Sequence, residues 1–510
     1  MNTKQLKAKV LDLAIHGKLL SPETVAELKK SPDYETADVL LEKIRKEKEE
    51  KIAKDELKRD KKDSYIFVGD DKRHYEKFAD GTVKDIEDEI PFDVPEGWAW
   101  ASLSEIANIY TGNSINENEK ANKYSNLKEG LFYIATKDID FEGKINYNNG
   151  IRIPLAESKF KIAPAESTLL CIEGGSAGRK IGFINQDVCF VNKLCSFHSD
   201  HLSNLYLFYY LQSRTFIDLF NSNKSGLIGG VSLNLLKSIF IPVAPAIEQD
   251  LISKTIATYL EKITTLNKDK ETLELTIKKA KSKILDLAIH GKLVPQDSND
   301  EPASVLFEKL RAEKEDKIAK GELKRDKNDS YIYKGSDNCY YEKFTDGTIE
   351  TIEIPFELPE TWCWCLFGEI ATVINGKNQS KVANSKGQYP IYGSGGVMGR
   401  ADDYICPENC TIIGRKGSIN NPIFVTEKFW NVDTAFGLCT NNLVLPKYLF
   451  YFCKTFDFTT IDSSTTLPSL TKTNIQHILF PLPPLETQKR IIEKIELLFI
   501  ELDKIILNLL

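Results

Sequence analysis

The chain has 510 residues, a net charge of −7, 42% hydrophobic residues and 28% charged residues. This length is about three times the ~150 residues of a typical domain, so several domains or a repeated architecture are expected. No apolar run reaches the roughly 18 to 20 residues that cross a bilayer, and Asp12 and His16 interrupt the N-terminal apolar stretch, which argues against a signal peptide. We therefore expect a cytoplasmic protein without membrane contact.

The cysteine pattern gives no covalent or metal framework. Ten cysteines over this length are too few for a disulfide scaffold, and in the cytoplasm they are expected to be thiols, mostly in the core. No second Cys-x2-Cys pair lies at the spacing of a zinc site, so no metal site is predicted. The short spacings that prompted this check are Cys363 to Cys365, Cys406 to Cys410 and His198 to His201.

A long internal repeat organises the chain. The matching stretches are, in chain order, 11–19 with 285–293, 39–62 with 305–327, 75–82 with 341–348 and 90–100 with 354–364. After each repeat comes a nearly neutral stretch that ends in a proline-rich exit, and these two stretches are mostly unlike each other. The sequence therefore predicts a duplicated frame that carries two diverged inserts.

A long helix is predicted from about residue 247 to 290, between the two inserts. Its apolar residues alternate spacings of four and three, as a coiled-coil seam requires, and at ~1.5 Å per residue it spans on the order of 65 Å. It ends where Gly291 can take the left-handed capping position, so we interpret His16 and His290 of the repeated Ile-His-Gly as parts of a helix stop, not as catalytic or metal residues. The seam residues are Ile252, Ile256, Tyr259, Ile263, Leu266, Leu273, Ile277, Ile284 and Leu287.

The second copy of this helix is cut in two. Its C-terminal part carries the seam positions Ile491, Ile495, Leu498, Leu502, Ile505 and Leu509. The missing half lies at the other terminus, where the repeat places Leu6, Val10 and Leu13 on the same seam. The chain is thus predicted to be a two-part circle opened inside one helix.

The predicted fold class is α+β, with two α/β insert domains separated by a pseudo-twofold antiparallel pair of long coiled-coil helices. Residues 1–20 and 485–510 are the two halves of the split helix, and 246–294 is the central helix. Charged spacers occupy 21–94 and 295–358. The insert domains are 95–245 and 359–484.

Several segments are typical of one protein family. In the frame they are 290–315, 353–364 and 481–495, and in the inserts they are CIEGGSAGRKIGF at 171–183, YPIYGSGGVMGR at 389–400 and IIGRKGSINNPIF at 412–424. On these segments the sequence resembles specificity subunits of type I restriction-modification systems over essentially its whole length. It departs from them at the first exit, where Gln249 is followed by Asp-Leu-Ile-Ser, and in its long N-terminal spacer.

The resemblance implies that each insert is a target recognition domain that reads one half of an asymmetric, bipartite target in double-stranded DNA. It also implies that the helices dock two methyltransferase subunits and that restriction subunits join through the complex. The chain itself is then non-catalytic and needs no cofactor, while S-adenosylmethionine, ATP and Mg²⁺ belong to its partners. Two other interpretations stay open, namely a non-catalytic coiled-coil scaffold whose inserts bind protein, and an enzyme with unrecognised sites in the inserts.

Basic residues among glycines are the main candidates for DNA contact, because backbone there can approach phosphate and a guanidinium can reach a guanine edge. The alternative is a basic surface turn. The segment 393–396 resembles a nucleotide loop only superficially, since a Walker Lys-Ser/Thr is absent, and a turn is favoured.

Short polar residues near the exits, at 232–234 and 465–472, are either phosphate donors or helix N-caps. The aromatic runs 206–210 and 448–452 are more often core helices than base-stacking platforms. The predicted DNA-binding residues are Ser176, Arg179, Lys180, Ser232, Asn234, Ser394, Arg400, Arg415, Lys416, Ser418, Thr471 and Lys472.

Overall fold

The computed structural model describes residues 3–56, 59, 63–224, 229–322, 330–462 and 469–508. The chain divides into two compact units, Met1–Asp269 and Lys270–Leu510. Both units mix helices and strands, which confirms the predicted α+β class. Within the ranges just given, no helix combines the length and apolarity needed to span a membrane.

The first unit opens with helices, continues through a small sheet and then forms the insert. Its helices are α1 (Thr3–Ile15), α2 (Pro22–Leu28), α3 (Ala37–Ala53), α4 (Leu103–Ile106), α5 (Glu117–Glu119), α6 (Asn204–Tyr210), α7 (Arg214–Ser222), α8 (Leu233–Lys237) and the start of α9 (Ala246–Ile289). Its strands are β1 (Ser64–Val68), β2 (His74–Phe78), β3 (Val83–Asp85), β4 (Ala99–Ser102), β5 (Asn108–Thr111), β6 (Leu131–Ile134), β7 (Arg152–Ile153), β8 (Ile162–Ala163), β9 (Thr168–Cys171), β10 (Ile181–Phe183), β11 (Val188–Phe190), β12 (Leu194–His198) and β13 (Phe240–Val243).

The second unit repeats this order after the end of α9. Its helices are α10 (Ala303–Ala319), α11 (Phe367–Ile370), α12 (Pro446–Thr455), α13 (Lys472–Gln476) and α14 (Leu485–Leu507). Its strands are β14 (Ser330–Lys334), β15 (Tyr340–Phe344), β16 (Ile349–Ile352), β17 (Cys363–Leu366), β18 (Ala371–Asn375), β19 (Tyr389–Gly393), β20 (Gly396–Ala401), β21 (Cys410–Gly414), β22 (Ile423–Val425), β23 (Trp430–Asn431), β24 (Ala435–Thr440) and β25 (Leu479–Leu482).

The long central helix lies where the periodicity predicted it. Helix α9 has 44 residues and contains neither glycine nor proline. It begins directly after Pro245 and ends before Gly291, whose φ of +67° is the left-handed capping conformation. Within the first unit Ile252 and Ile256 of α9 are buried, and within the second unit Ile277, Leu285 and Ile289 are buried.

The charged spacers contain strands as well as the helices that their composition suggested. In each unit a helix, α3 or α10, is followed by a three-stranded sheet, β1-β2-β3 or β14-β15-β16. Arg45 of α3 pairs with Glu105 of α4 at 2.6 Å and donates to the carbonyl of Ile66 at 2.9 Å. Burial raises the pKa of Glu105 to about 7, although Arg45 favours its ionised form. Arg311 of α10 makes the equivalent contacts in the second unit, with the carboxylate of Glu369 and the carbonyl of Ile332.

Each insert is tied to its frame by a two-stranded antiparallel sheet. The first strand of the insert pairs with the exit strand, β4 with β13 and β17 with β25. Between these strands lies a four-stranded sheet of order β10-β9-β12-β5 in the first unit and β22-β21-β24-β18 in the second. A further sheet contains a parallel pair, β6 with β11 and β19 with β23. The inserts therefore share a topology that their sequences did not reveal.

A helix end meets the start of the insert at what we call the helix–insert joint, which consists of residues 16–17, 92–98 and 248 in the first unit. His16 stacks on Phe92 at 3.9 Å, and its Nδ1 lies 2.7 Å from the carbonyl of Asp12. Trp98 donates from Nε1 to Glu248 at 2.8 Å. The second unit repeats the stacking with His290. These contacts confirm the helix-stop interpretation of both histidines.

A buried glutamine closes each exit. Gln249 donates to the carbonyl of Ala244 at 2.7 Å and accepts from the backbone N–H of Ser203 at 3.0 Å. Gln488 donates to the carbonyl of Leu443 and accepts from the N–H of Leu445, both at 2.8 Å. The first exit thus keeps the same structural contact although its following residues differ.

Helix α1 packs mainly through residues beside the predicted seam positions, whereas α14 buries two of the predicted positions themselves. In α1 the buried residues are Leu11, Ala14 and Ile15, and α1 contacts α6 and α7. Leu6, Val10 and Leu13 are partly exposed, as are Ile263, Leu273, Ile284, Leu287, Leu498 and Leu502, while Tyr259, Leu266 and Ile505 are exposed. In α14 Ile491 and Ile495 are buried. Leu509 lies outside the described residues, and the coiled-coil seam stays a prediction.

Most of the cysteines are buried thiols, as expected. Six of the eight free cysteines are buried. Cys410 and Cys439 instead form a disulfide, because β21 and β24 pair in a register that sets them directly opposite, with 4.8 Å between their Cα atoms. Among the described residues no group of three or more metal-ligating side chains occurs.

Replacing Leu11 by alanine should lower the stability of the first unit by about 2 to 5 kcal/mol, because it opens a cavity in the core beside α6 and α7. Leu6→Ala, on the same helix but partly exposed, should cost clearly less. The measurement is denaturant unfolding of the full chain, in which Leu285→Ala serves as the matched variant for the second unit. Equal losses for Leu6→Ala and Leu11→Ala would contradict this packing.

Candidate nucleic-acid interface

The two arginine-lysine pairs of the sequence lie on the same connection of the two inserts. Residues 172–180 join β9 to β10, and residues 415–422 join β21 to β22, in sheets of equal order. We call these connections the first and second basic loops. Their common position supports a common role.

The first basic loop holds its cations against an aromatic ring. The guanidinium of Arg179 lies 4.8 Å from the ring centre of Phe141, and the Nζ of Lys180 lies 5.2 Å from it. Lys180 also donates to the carbonyl of Thr136 at 3.0 Å. Arg179 is exposed, whereas Ser176 and Lys180 are partly buried.

The second basic loop is more exposed. Arg415, Lys416 and Ser418 are all exposed, and Gly417 between them has a φ of +77°. The guanidinium of Arg415 lies 5.8 Å from the ring centre of Phe436, and the Arg415 side chain stays exposed.

The basic loops differ at equivalent backbone positions. In the first unit Glu173 bridges Gly230, and in the second Lys416 bridges Ser469 in the same antiparallel fashion. The neighbouring bonds agree, since the carbonyl of Ile172 accepts from Val231 and that of Arg415 accepts from Leu470. Lys416 therefore occupies the position of Glu173, and Arg415 that of the buried Ile172. This correspondence could not be predicted from the sequence, because the loops differ in length and composition.

The short polar residues near the exits cap helices. Ser232 precedes α8 and accepts from the backbone N–H of Leu235 at 3.4 Å. Thr471 precedes α13 and accepts from the N–H of Asn474 at 3.1 Å. Asn234 and Lys472 are exposed beside them. Capping is thus confirmed at both sites, and residues 465–468 of the predicted segment lie outside the described residues.

The hairpin β19–β20 brings one candidate to the second basic loop and keeps another away. Ser394 lies in its turn, and a Cβ placed on Gly414 would lie 3.1 Å from the Cβ of Ser394. Arg400 pairs with Pro390 near the opposite end of the hairpin and donates to the carbonyls of Gly387, at 2.6 Å, and Gln388. The structure therefore gives the Arg400 guanidinium a role in holding backbone. The segment 393–396 is a hairpin turn, as expected.

Other features of the inserts are structural. The aromatic runs form α6 and α12, whose Tyr206, Tyr210 and Tyr448 are fully buried. A cleft of about 1070 Å³ in the first unit lies between the spacer and the insert. Some of its charged groups pair with one another, namely Lys48 with Asp63 at 2.8 Å and Lys84 with Glu89 at 2.5 Å.

Sequence reasoning missed three exposed groups beside the basic loops. They are Glu173, the 61% exposed ring of Phe141, and Met398 of β20, which is 65% exposed. A single apolar residue without a periodic pattern around it carries no signal of exposure, so neither Phe141 nor Met398 could be singled out from the sequence.

Comparison with known proteins identifies the family. The family model for the type I restriction modification DNA specificity domain matches residues 95–275 and 359–510, and so takes in both inserts. The chain belongs to this family. The predicted class, a non-catalytic specificity subunit of a type I restriction-modification system, is confirmed by that match and by the named relatives.

Two relatives are the specificity subunits of the type I restriction enzymes EcoAI and EcoEI of Escherichia coli. The EcoAI subunit is 25% identical, over 97% of this chain and 88% of its own length. The EcoEI subunit is 25% identical, over 72% of this chain and 61% of its own length. A solved chain from a study of complex assembly and conformational transition of the type I R-M system has a TM-score of 0.55 at 15% identity, covering 82% of this chain and 94% of that one. That likeness shows the shared fold.

Replacing Gly414 by alanine should destabilise the second unit by about 1 to 3 kcal/mol, because the new Cβ is forced against neighbouring backbone. It would lie 2.5 Å from the carbonyl oxygen of Ser418. Gly395→Ala is the control, since a Cβ there meets open space. The test is the melting temperature of the full chain, and an unchanged value for Gly414→Ala would show that the second basic loop is not held as described.

Proposed function

We propose that the chain reads an asymmetric, bipartite target in double-stranded DNA, with one insert on each half. The observation that carries this proposal is the opposite charge at equivalent positions of the two basic loops. Glu173 and Lys416 occupy the same backbone position on a common topology. A carboxylate accepts from the amino group of cytosine, whereas a cation meets a phosphate or a guanine edge. Such a difference selects unlike half-sites.

The predicted DNA-binding residues divide between the two inserts. Those of the first unit are Ser176, Arg179, Lys180, Ser232 and Asn234, and those of the second are Ser394, Arg400, Arg415, Lys416, Ser418, Thr471 and Lys472. Arg415 is best suited to read a base, since it is exposed and its guanidinium has five donors in a planar fork. Lys416, Lys472 and Lys180 suit phosphate.

The duplicated frame would dock two methyltransferase subunits, because the same fold and contacts occur twice. Restriction subunits would join through that complex, in the cytoplasm. S-adenosylmethionine, ATP and Mg²⁺ would be held by these partners. The chain alone would then transfer no methyl group and cleave no DNA.

We further propose that α1 and α14, each within its own unit, run antiparallel to the part of α9 that belongs to that unit, as expected for the two parts of the split helix. Support comes from contacts within each unit. Thr3 of α1 bonds Asn267 of α9 at 3.2 Å, and the buried residues at the end of α1 belong to the same hydrophobic cluster as Ile252 and Ile256. In the second unit Asp503 of α14 bonds Lys281 of α9 at 2.6 Å.

The test of function is the sequence context of methylated adenines in DNA treated with this chain, a methyltransferase subunit and S-adenosylmethionine. We expect an interrupted motif with two unlike halves. Exchange of residues 98–241 for the equivalent insert of another family member should change one half only, because each insert folds on its own sheets. A change in both halves, or methylation without sequence preference, would overturn the proposal. Turnover by the isolated chain would overturn its non-catalytic role.

The alternative scaffold function is separated by salt dependence. Phosphate contacts make duplex binding fall steeply with ionic strength. A complex that binds no duplex at low salt would favour protein-binding inserts instead.

Arg415→Ala should cost about 1 to 3 kcal/mol on the cognate half-site and relax base preference there, because a bidentate contact is lost. Lys416→Ala should weaken binding to cognate and random duplex alike. Both are measured by titration of labelled duplex with the assembled complex. Equal losses on cognate and random DNA for both variants would remove the base-reading role of Arg415.

A further inference from the structure

The first unit has an exposed phenylalanine, Phe141, on the connection between β6 and β7, which we call the β6–β7 loop. Residues 135–151 leave the sheet between β6 and β7, and their tip closes where Ile139 bridges Ile145. Phe141 lies on this tip, and 61% of its surface is exposed. An aromatic side chain this exposed does not have the favourable free energy that burial against an apolar partner would provide.

Hydrogen bonds hold the base of the β6–β7 loop in place. The carboxylate of Asp138 accepts from the backbone N–H of Ala135 and from the Asn149 side chain, both at 2.8 Å. The carboxylate of Asp140 accepts from the backbone N–H groups of Glu142 and Lys144, both at 2.9 Å. The tip is therefore positioned by bonds that do not involve the ring of Phe141.

Two cations flank the ring. Arg179 and Lys180 lie 4.8 and 5.2 Å from its centre, on the first basic loop. An apolar tip with cations at its side matches stacked bases that are bordered by phosphates.

The second unit carries an exposed apolar residue on the equivalent connection. Strand β19, like β6, pairs in parallel with its neighbour, and the turn that follows it abuts the second basic loop through Ser394 and Gly414. Beside that turn Met398 is 65% exposed. Its sulfur would lie 2.6 Å from a Cβ on Gly393, so it sits at the tip end of the hairpin.

We propose that Phe141 and Met398 are apolar wedges that enter between neighbouring base pairs of duplex DNA, one in each half-site. The inference rests on the proposed function and adds a mechanism to it. Wedge residues partly unstack a step and kink the duplex, and pyrimidine–purine steps yield most easily. Each half-site should then contain a flexible step opposite the wedge, which gives preference at positions without a hydrogen bond from the protein.

The test uses the full chain assembled with its methyltransferase subunit, and duplexes that carry the methylated sequence. Phe141→Ala should bind the fully paired duplex about tenfold more weakly, because the open step loses its apolar filler. A mismatch at the same step should remove most of this loss, since the step is then already loosened. Phe141→Leu, which keeps apolar volume without a π face, should bind nearly as well as the original chain.

The matched control is Leu155→Ala, which removes an apolar residue of the same unit that is 78% exposed. Its affinity and melting temperature should not change. 2-Aminopurine placed at the step should brighten on binding of the original chain and not of Phe141→Ala. Met398→Ala should act in the same way on the other half-site alone.

The outcomes separate the wedge from the proposed function. If Phe141→Ala binds and brightens the probe like the original chain while the bipartite motif stands, the wedge is overturned and DNA reading is not. If Phe141→Leu is as weak as Phe141→Ala and a mismatch rescues neither, the ring only holds Arg179 and Lys180, and the wedge is again overturned. Failure of the original complex to bind any duplex would overturn both.

Discussion

The close approach of a helix end to the start of the insert is the constraint on which each unit depends. A Cβ on Gly17 would lie 2.3 Å from the ring of Pro95, and one on Gly291 would lie 2.5 Å from Pro359. Both glycines also have positive φ, so any other residue would be strained as well as crowded. The helix–insert joint therefore sets the angle at which helix and insert meet, and the stacked histidine and the buried tryptophan fill the space that remains.

The frame restrains the inserts at their two ends and leaves their loops free to differ. The strand pairs β4–β13 and β17–β25 and the glutamines Gln249 and Gln488 hold entrance and exit together. The basic loops lie between other strands and touch none of these bonds. Changes such as Glu173 against Lys416 can thus accumulate without loss of the frame, which is the property that a reader of changeable DNA sequences needs.

The duplicated frame, the central helix and the helix stops could be predicted from the sequence, because exact repetition and helical periodicity are local signals. The residues that pack against one another could not be predicted in this way. The spacing pattern predicted Leu6, Val10 and Leu13 as the packed residues of α1. The buried residues are instead Leu11, Ala14 and Ile15, and α1 contacts α6 and α7. A spacing pattern does not indicate on which side of a helix its neighbours lie.

The sites show the same limit. The glycine-rich basic segments were visible, but the pairing of Lys416 with the position of Glu173 needed backbone bridges between distant residues. Arg400 stays a predicted DNA contact, and only the folded hairpin shows that its guanidinium also bonds two backbone carbonyls. Exposure of Phe141 and Met398 is likewise a property of the fold, because apolar residues are buried by default.

The central claim is that one frame is used twice in a circular order, and a circular permutation tests it most directly. Residue 510 would be joined to residue 1 by a short glycine-serine linker, and the chain would be opened in the exposed turn between β2 and β3. The account predicts that this chain, with a methyltransferase subunit, methylates the same bipartite sequence as the original order. The same opening without the linker serves as the control. A joined chain that folds with an unchanged melting temperature but methylates a different sequence, or none, would contradict the account.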